Sequence, residues 1–272
     1  IVAGVGMTPF GKHMDTGLKA LGAQAVLEAV ADAGISLDQI QAAWVGNAAA
    51  GLVTGQECIR GQVILRSIGL GKLPVINVEN ACASASTAFN QAAAMVSAGL
   101  YDVVLALGVE KLYHEDKRKS FAAFSGAVDV EAMQEIMKRL QENAAQGGAK
   151  SGASGAGEKR SMFMDIYAAA ARTHMQQYGT TVEQFAGVSA KNSFHGSMNP
   201  RAQFQELLGV ADVLAARTII EPLTLPMCSP IGDGAAAVIL VSERKARELG
   251  LKNKVRVAAS ALVSGWDFTQ PG

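Results

Sequence analysis

The chain has 272 residues, of which 49% are hydrophobic and 18% are charged, and its 24 Lys and Arg residues balance its 24 Asp and Glu residues. This length suffices for one large domain or two small ones with a buried core. The even charge, without a long basic run, argues against nucleic acid as the main partner. No apolar segment approaches the roughly 18 residues that a membrane span needs.

The chain contains three cysteines, Cys58, Cys82 and Cys228. Their odd number and their spacing match neither a disulfide framework nor a zinc site. The first residues, 1–6, lack the basic stretch of a secretory signal and have the pattern of a buried strand. These features predict a cytoplasmic protein without a metal site.

The first hundred residues alternate between strand and helix patterns. The run 102–109 is continuously apolar, as expected of a strand that is buried on both faces. Alternating strands and helices predict an α/β fold with a mostly parallel sheet between helices. The predicted strands are 1–7, 41–48, 74–78 and 102–109, and the predicted helices are 18–33, 56–68 and a helix from Cys82 to near Gly99.

The composition changes at Lys111. Residues 111–119 are densely charged, 130–143 have an amphipathic helical pattern, and 146–157 are almost entirely Gly, Ala and Ser, which predicts a flexible tract. The regular alternation then returns. The remaining predictions are helices at 161–178, 181–192 and 242–249 and strands at 218–226, 235–241 and 254–261.

Cys82 stands where an apolar strand turns into a helix rich in small residues. Asn80 is a suitable N-cap, so the pattern predicts Cys82 in the first helical turn. The positive end of a helix favours a thiolate over a thiol, which suits a nucleophile. A lone Cys among alanines is also compatible with a small buried hydrophobic residue, and the local sequence leaves both interpretations open.

The segment 80–84, Asn-Ala-Cys-Ala-Ser, resembles the nucleophile segment of thiolases. Residues 191–192 with 199–205, and residues 228–230 with 233–237, resemble segments of the sterol-carrier-type (lipid-transfer) branch of that family, and the three segments follow the same order. The resemblance implies that Cys82 accepts the acyl group and that its backbone amide forms half of an oxyanion hole. Ala85 departs from the pattern, since many members have Gly there, and this departure leaves the acyl specificity open.

The resemblance also implies a domain organisation. Thiolases have two similar βαβαβαββ halves, and a loop domain inserted into the first half covers the CoA and acyl pocket. On this basis we expect the N-terminal half in residues 1–110 and 216–250, the loop domain and its helices in 111–215, and the first strand of a second, truncated half in 251–272. The Gly-His-Pro motif of the base histidine and the second cysteine motif do not occur in this sequence.

Several other residues belong to types that can act in catalysis or contact the substrate. Met162 lies in a segment that resembles the part of the loop domain near the acyl chain, so the resemblance implies a substrate contact, although a helical Met more often fills a core. Cys228 is interpreted as a structural residue near the pocket. Cys58, in an apolar helix, is interpreted as a residue of the protein core. Asp233 is interpreted as a turn and capping residue. The four histidines, His13, His114, His174 and His195, have no motif context for a general base.

The resemblance thus implies an acyl-CoA C-acyltransferase that cleaves or forms 3-ketoacyl-CoA through an acyl-Cys82 intermediate. Two alternatives stay open: a retro-aldol lyase of steroid side-chain CoA esters, and a non-catalytic acyl-CoA-binding subunit. CoA is expected as cosubstrate, with no metal or organic cofactor. The expected partners are acyl-CoA, a second copy in a homodimer, and a small zinc-ribbon/OB-fold acyl-CoA-binding protein.

Overall fold

The computed structural model describes residues 1–132, 134, 135, 138, 161–252 and 255–264. The chain divides into two compact units. The first unit comprises the described residues within 1–8, 15–111 and 234–272, and the second comprises those within 9–14 and 112–233. The domain boundaries at 110, 215 and 250 were drawn from the repeated halves of the family, whereas the two units are defined by their compactness. These boundaries therefore stay predictions.

A five-stranded sheet forms the centre of the first unit, and its strands are ordered β1-β7-β4-β2-β3. The strand β7 is antiparallel to both of its neighbours, whereas the other pairs are parallel. The expected α/β class with a mostly parallel sheet is therefore confirmed. The strands of the chain are β1 (Val2–Met7), β2 (Ala42–Gly46), β3 (Val75–Val78), β4 (Val103–Glu110), β5 (Thr218–Ile220), β6 (Leu223–Thr224) and β7 (Gly234–Val241).

Helices connect the parallel strands, which produces the expected βαβαβαββ order in the first unit. Most predicted helices are present, but α3 is shorter than the predicted 56–68, and α2, α5 and α8 were not predicted. The helices are α1 (Leu18–Ala33), α2 (Ala50–Thr54), α3 (Arg60–Arg66), α4 (Ser84–Ser97), α5 (Lys117–Ser125), α6 (Met162–Tyr178), α7 (Val182–Ser197), α8 (Val210–Ala215) and α9 (Glu243–Glu248).

Both faces of the sheet are buried, as the continuous apolar run predicted. Along β4, Leu105 and Leu107 face the cluster that includes α1 and α3. Val104 and Ala106 face the opposite cluster, where α4 packs. Successive side chains of a strand point to opposite faces, so a strand covered on both sides needs apolar residues at every position.

Strand β1 forms one edge of the sheet and is held by α1. A Cβ on Gly4 or Gly6 would overlap the backbone of α1, so the two glycines allow the helix to pack directly on the strand. The carboxylates of Asp32 and Glu28 accept hydrogen bonds from the outward N–H groups of Val5 (2.9 Å) and Met7 (3.1 Å). Side chains of α1 thus provide acceptors for two backbone N–H groups at the edge of the sheet.

The predicted strand at 254–261 is reduced to a single antiparallel bridge between Val255 and Val2. The described residues 256–264 have no regular structure. In an antiparallel pair with Val2 opposite Val255, the residues after 256 run beyond the start of β1 and therefore have no strand beside them. The sequence pattern was strand-like, but the described residues 255–261 form no ladder with a neighbouring strand.

The second unit contains α5 to α8 and a small hairpin. The predicted helix 161–178 is confirmed, with the Ser161 hydroxyl accepting from the Phe163 N–H at 3.3 Å. The predicted strand 218–226 is instead the hairpin β5–β6 followed by a 3-10 turn, Leu225–Met227. Most of the predicted helix 130–143, and all of the tract 146–157, lie outside the described residues.

Candidate active site around Cys82

Cys82 is exposed on the first unit, shortly after the carboxyl end of β3. It lies in a 3-10 turn, Ala81–Ala83, and α4 begins only at Ser84. The predicted junction of strand and helix at Cys82 is correct, but the predicted position in the first turn of the α-helix and the capping role of Asn80 are wrong. The Asn80 side chain makes no capping bond, and its Nδ2 donates to Thr87 Oγ1 at 2.9 Å.

The backbone just before Cys82 is in an uncommon conformation and is held by side chains. Ala81 has φ of 44°, in the left-handed region that residues with a Cβ seldom adopt. Its N–H donates to Glu79 Oε1 at 2.6 Å. The Ser84 hydroxyl accepts from the Asn80 N–H at 2.8 Å and donates to the Ala81 carbonyl at 2.7 Å. The turn that presents Cys82 is thus fixed from both sides of Ala81.

The N–H of Cys82 itself has no acceptor among the described residues. Such groups at the beginning of a helix are donors without an intrahelical partner. A donor beside a nucleophilic sulfur is suited to bind the oxygen that becomes negative when a thioester is attacked. The predicted oxyanion role of this amide stays a prediction.

Two glycines bring α4 close to the carboxyl ends of β2 and β4. A Cβ on Gly46 would lie 2.5 Å from the Ser84 carbonyl oxygen, and a Cβ on Gly108 would overlap that of Ala85. Each position therefore excludes a side chain on the sheet. The Ala85 methyl group, which departs from the family pattern, lies against a residue that has no side chain.

A polar cluster at the same edge of the sheet was missed by the sequence analysis. Asn47 is 3% exposed, and its Nδ2 donates to the Val109 carbonyl at 2.6 Å and to Glu110 Oε1 at 3.0 Å. Glu110 Oε2 accepts from the N–H groups of Ala48 (2.9 Å) and Ala49 (3.2 Å). Polar residues directly after parallel strands are the signal that could have identified this cluster, because sites collect at that edge.

The other two cysteines differ from Cys82 in their surroundings. Burial raises the pKa of the Cys228 thiol, whose Sγ lies 3.5 Å from the Thr224 carbonyl oxygen. Cys58 was interpreted as a core residue of an apolar helix, and this is wrong: it is exposed and precedes α3, which begins at Arg60. The apolar residues nearby were read as one helix, whereas Ile59 interrupts it with a left-handed conformation.

The remaining candidates belong to the second unit. The backbone of Met162 begins α6, but its side chain lies outside the described part of the structure. His13 Nε2 lies 2.8 Å from the Pro9 carbonyl oxygen, and the His174 ring contacts Thr180 Oγ1 at 2.9 Å. Each of these rings has a local structural contact, and neither gains the context of a general base.

The described ranges contain neither a metal-ligand cluster nor a membrane-spanning helix. No group of three or more His, Cys, Asp or Glu side chains there could hold a metal ion. In the same part of the chain, no helix has both the length and the apolar character to cross a membrane.

Comparison with known proteins supports the family resemblance. The family model for the thiolase N-terminal domain matches residues 1–211. The benzoylsuccinyl-CoA thiolase subunit BbsB of Thauera aromatica is 35% identical over 273 residues, which cover 99% of this chain and 62% of the relative. Sterol carrier protein 2 of Gallus gallus is 36% identical over 271 residues, which cover 98% of this chain and 46% of the relative.

A solved structure agrees with the fold. A chain of the Ltp2-ChsH2(DUF35) aldolase superposes with a TM-score of 0.65 at 28% sequence identity, covering 91% of this chain and 56% of that chain. The present chain thus spans about 62% or less of the curated relatives and of the solved chain that it matches. The match of the family model over most of the chain, together with these relatives, is decisive: the chain belongs to the thiolase family.

Proposed function

We propose that the protein containing this chain is a thiolase-type acyltransferase that cleaves or forms 3-ketoacyl-CoA through an acyl group on Cys82. The observation that carries the proposal is the setting of Cys82. Cys82 is exposed and lies in a turn that side-chain hydrogen bonds hold in place, and its N–H has no acceptor among the described residues. A nucleophile and an oxyanion donor at one residue are the two groups that acyl transfer needs first.

The proposed first step is attack of the Cys82 thiolate on the carbonyl carbon of an acyl-CoA thioester or a 3-ketoacyl-CoA. A C–S bond forms to Cys82, the carbonyl oxygen becomes an oxyanion, and collapse expels the CoA thiolate or the acyl-CoA carbanion, which then takes up a proton. The base histidine and the second cysteine of the family have no motif in this sequence. The proposal therefore concerns the whole protein rather than these residues alone.

The test is intact-mass analysis of the whole protein after incubation with short, aromatic and steroid-derived acyl-CoA and 3-ketoacyl-CoA esters. The expected result is a mass increase equal to one acyl group less one hydrogen, mapped to the peptide that contains Cys82. Cys82→Ala must abolish it, and Cys58→Ala, which removes the other exposed thiol, must not. A folded protein that never acquires an acyl group would overturn the proposal.

A second candidate is a retro-aldol lyase of CoA esters, and it is favoured by one observation. The superposed structure is that of an aldolase, Ltp2-ChsH2(DUF35), and shares 28% identity with this chain. A lyase of this kind needs no acyl-cysteine, so cleavage that persists in Cys82→Ala would favour it over thiolysis. A folded protein that binds acyl-CoA without turnover would indicate the non-catalytic subunit instead.

We also propose acyl-CoA as ligand, CoA as the only cosubstrate and a homodimer in the cytoplasm. A small zinc-ribbon/OB-fold partner that binds acyl-CoA is proposed for the same protein. Two similar proteins support a complex: the Thauera relative is a thiolase subunit, and the aldolase is named as a pair of Ltp2 with ChsH2(DUF35). Purification of the tagged protein from its source, followed by mass spectrometry, would identify such a partner.

A further inference from the structure

The hydroxyl group of Ser84 bridges the Glu79–Asn80 peptide group and the Ala81–Cys82 peptide group. It accepts a hydrogen bond from the Asn80 N–H at 2.8 Å and donates one to the Ala81 carbonyl at 2.7 Å. Ser84 is 4% exposed, so water does not compete freely for either bond. Ser84 therefore connects the start of α4 to the strained turn that carries the nucleophile.

The bond to the Ala81 carbonyl acts on Cys82 through covalent geometry. The Ala81 C=O and the Cys82 N–H belong to one planar peptide group, so holding the oxygen sets the direction in which the N–H points. That control is needed because Ala81 has φ of 44°, a conformation that persists only when its surroundings maintain it. The backbone N–H of Ser84 also donates to the Ala81 carbonyl, so the hydroxyl is the second of two donors on this oxygen. Without the hydroxyl, this peptide plane is held by one donor and is less strictly oriented.

The same bond also makes the Cys82 N–H a stronger donor. A carbonyl that accepts a hydrogen bond withdraws electron density from its amide, and the N–H of that amide becomes more positive. The Cys82 N–H has no acceptor among the described residues, so the increased donor strength is available to a ligand. Orientation and polarisation both favour the oxyanion that forms when a thioester is attacked.

We propose that Ser84 is a positioning residue that orients and polarises the backbone N–H of Cys82 toward the acyl oxyanion. The inference rests on the proposed function, because the oxyanion forms only if Cys82 attacks a thioester. Ser84 touches no reacting atom, and its effect passes through the Ala81–Cys82 peptide.

The experiment compares two reactions of Cys82 in the whole protein. Attack on an acyl-CoA thioester passes through an oxyanion, whereas alkylation by iodoacetamide displaces iodide without one. Ser84→Ala is expected to slow acylation about 10-fold, less than the loss caused by deleting a donor outright. Alkylation of Cys82 is expected to change less than about 2-fold, because the thiol itself is untouched.

The control variants separate positioning from stability. Ser86→Ala removes an exposed hydroxyl of the same helix, which donates to the Ala83 carbonyl at 3.0 Å, and should leave both rates unchanged. Ser84→Thr keeps the hydroxyl and should recover most of the acylation rate. Should Ser84→Ala fail to fold, Ser84→Thr is compared with Ser84→Val, which has nearly the same shape and lacks the hydroxyl. Equal losses in both reactions, or unimpaired acylation, would overturn the proposal.

A readout without turnover distinguishes this inference from the proposed function. In a ¹⁵N–¹H spectrum, loss of the hydrogen bond to the Ala81 carbonyl should move the Cys82 amide proton upfield in Ser84→Ala and not in Ser86→Ala. If the wild-type protein never acylates, the acyltransferase assignment fails while this shift still tests the role of Ser84. An unmoved Cys82 amide resonance would overturn that role.

Discussion

The methyl group of Ala85 occupies the space above Gly108, and a Cβ on Gly108 would overlap it. Many members of the family have Gly at the position of Ala85, so the chain carries one methyl group more at this contact. It fits because the residue that faces it on β4 has no side chain. The contact explains how α4 keeps its place on the sheet despite the departure from the family pattern.

Gly108→Ala is therefore expected to destabilise the protein by about 1–3 kcal/mol, the usual cost of overpacking a close contact. Ala85→Gly in the same protein should restore most of this loss, because it removes the competing methyl group. Urea unfolding of the two single variants and the double variant measures the coupling between the two positions. Strictly additive losses would contradict the contact.

The sequence predicted most of the first unit because its signals are local and strong. The strand at 102–109 was identified by its continuous apolar run, and α1 by its periodicity and the Gly34 that ends it, which adopts φ of 67°. The position of Cys82 came from a family motif. These features depend on neighbours in sequence, which a reader of the sequence can see.

The features that the sequence did not reveal depend on residues far apart in the chain. The bonds of Asn47 to Val109 and Glu110 join two strands separated by about sixty residues, and their polar side chains carry no local pattern. The strand predicted at 254–261 had the right composition, but its described residues, 255–261, form only a single bridge. Helix α3 is shorter than predicted because Ile59 has φ of 51°, so the helix begins only at Arg60. Helix propensity does not predict a left-handed conformation for an isoleucine.

The three thiols should differ in their rate of alkylation. Burial raises the pKa of Cys228, so at a given pH it holds less thiolate than an ordinary cysteine, while Cys58 and Cys82 are exposed. Cys228 is expected to be labelled last by iodoacetamide between pH 7 and pH 8.5, as measured by peptide mass spectrometry. In denaturing urea the delay should vanish, and labelling of native Cys228 as fast as Cys58 would refute this interpretation.

Asp102 should give the first unit a pH-dependent stability. The hydrogen bond from the Ser242 hydroxyl, at 2.5 Å, is the main reason that the pKa of Asp102 lies below its usual 3.8, and the charge of Arg244 adds to it. A carboxyl whose pKa is lowered by folding stabilises the fold above its unfolded pKa, and the effect is lost as the pH falls through the folded pKa.

Asp102→Asn should therefore lower stability at pH 7, and the difference from wild type should shrink as the pH falls below 3.8. Urea unfolding at a series of pH values measures it. Asp15→Asn, at an exposed position where the side chain has no hydrogen bond or ion pair to the described residues, is the matched control and should remain close to wild type throughout. A difference for Asp102→Asn that stays constant down to pH 2 would argue against the carboxylate as its source.

Asp233 joins three segments of the second unit and was expected only to cap a turn. It is fully buried, its Oδ1 accepts from the N–H groups of Leu112 and Tyr113 at 2.8 Å each, and its Oδ2 accepts from the His13 N–H at 3.2 Å. Asp233→Ala leaves buried donors without acceptors, which should cost about 2–4 kcal/mol of unfolding free energy.

Asp233→Asn provides a graded comparison. Its amide oxygen can still accept from Leu112 and Tyr113, but its NH₂ group would face the His13 N–H, so a smaller loss of about 1–2 kcal/mol is expected. Asp129→Asn is the control, because Asp129 is exposed and bonds only to nearby backbone N–H groups. Hydrogen exchange at residues 112 and 113 reports the same contact locally and should accelerate in the order Asp129→Asn, Asp233→Asn, Asp233→Ala. If the two Asp233 variants exchange alike at residues 112 and 113, Oδ1 does not hold these two N–H groups as the geometry indicates.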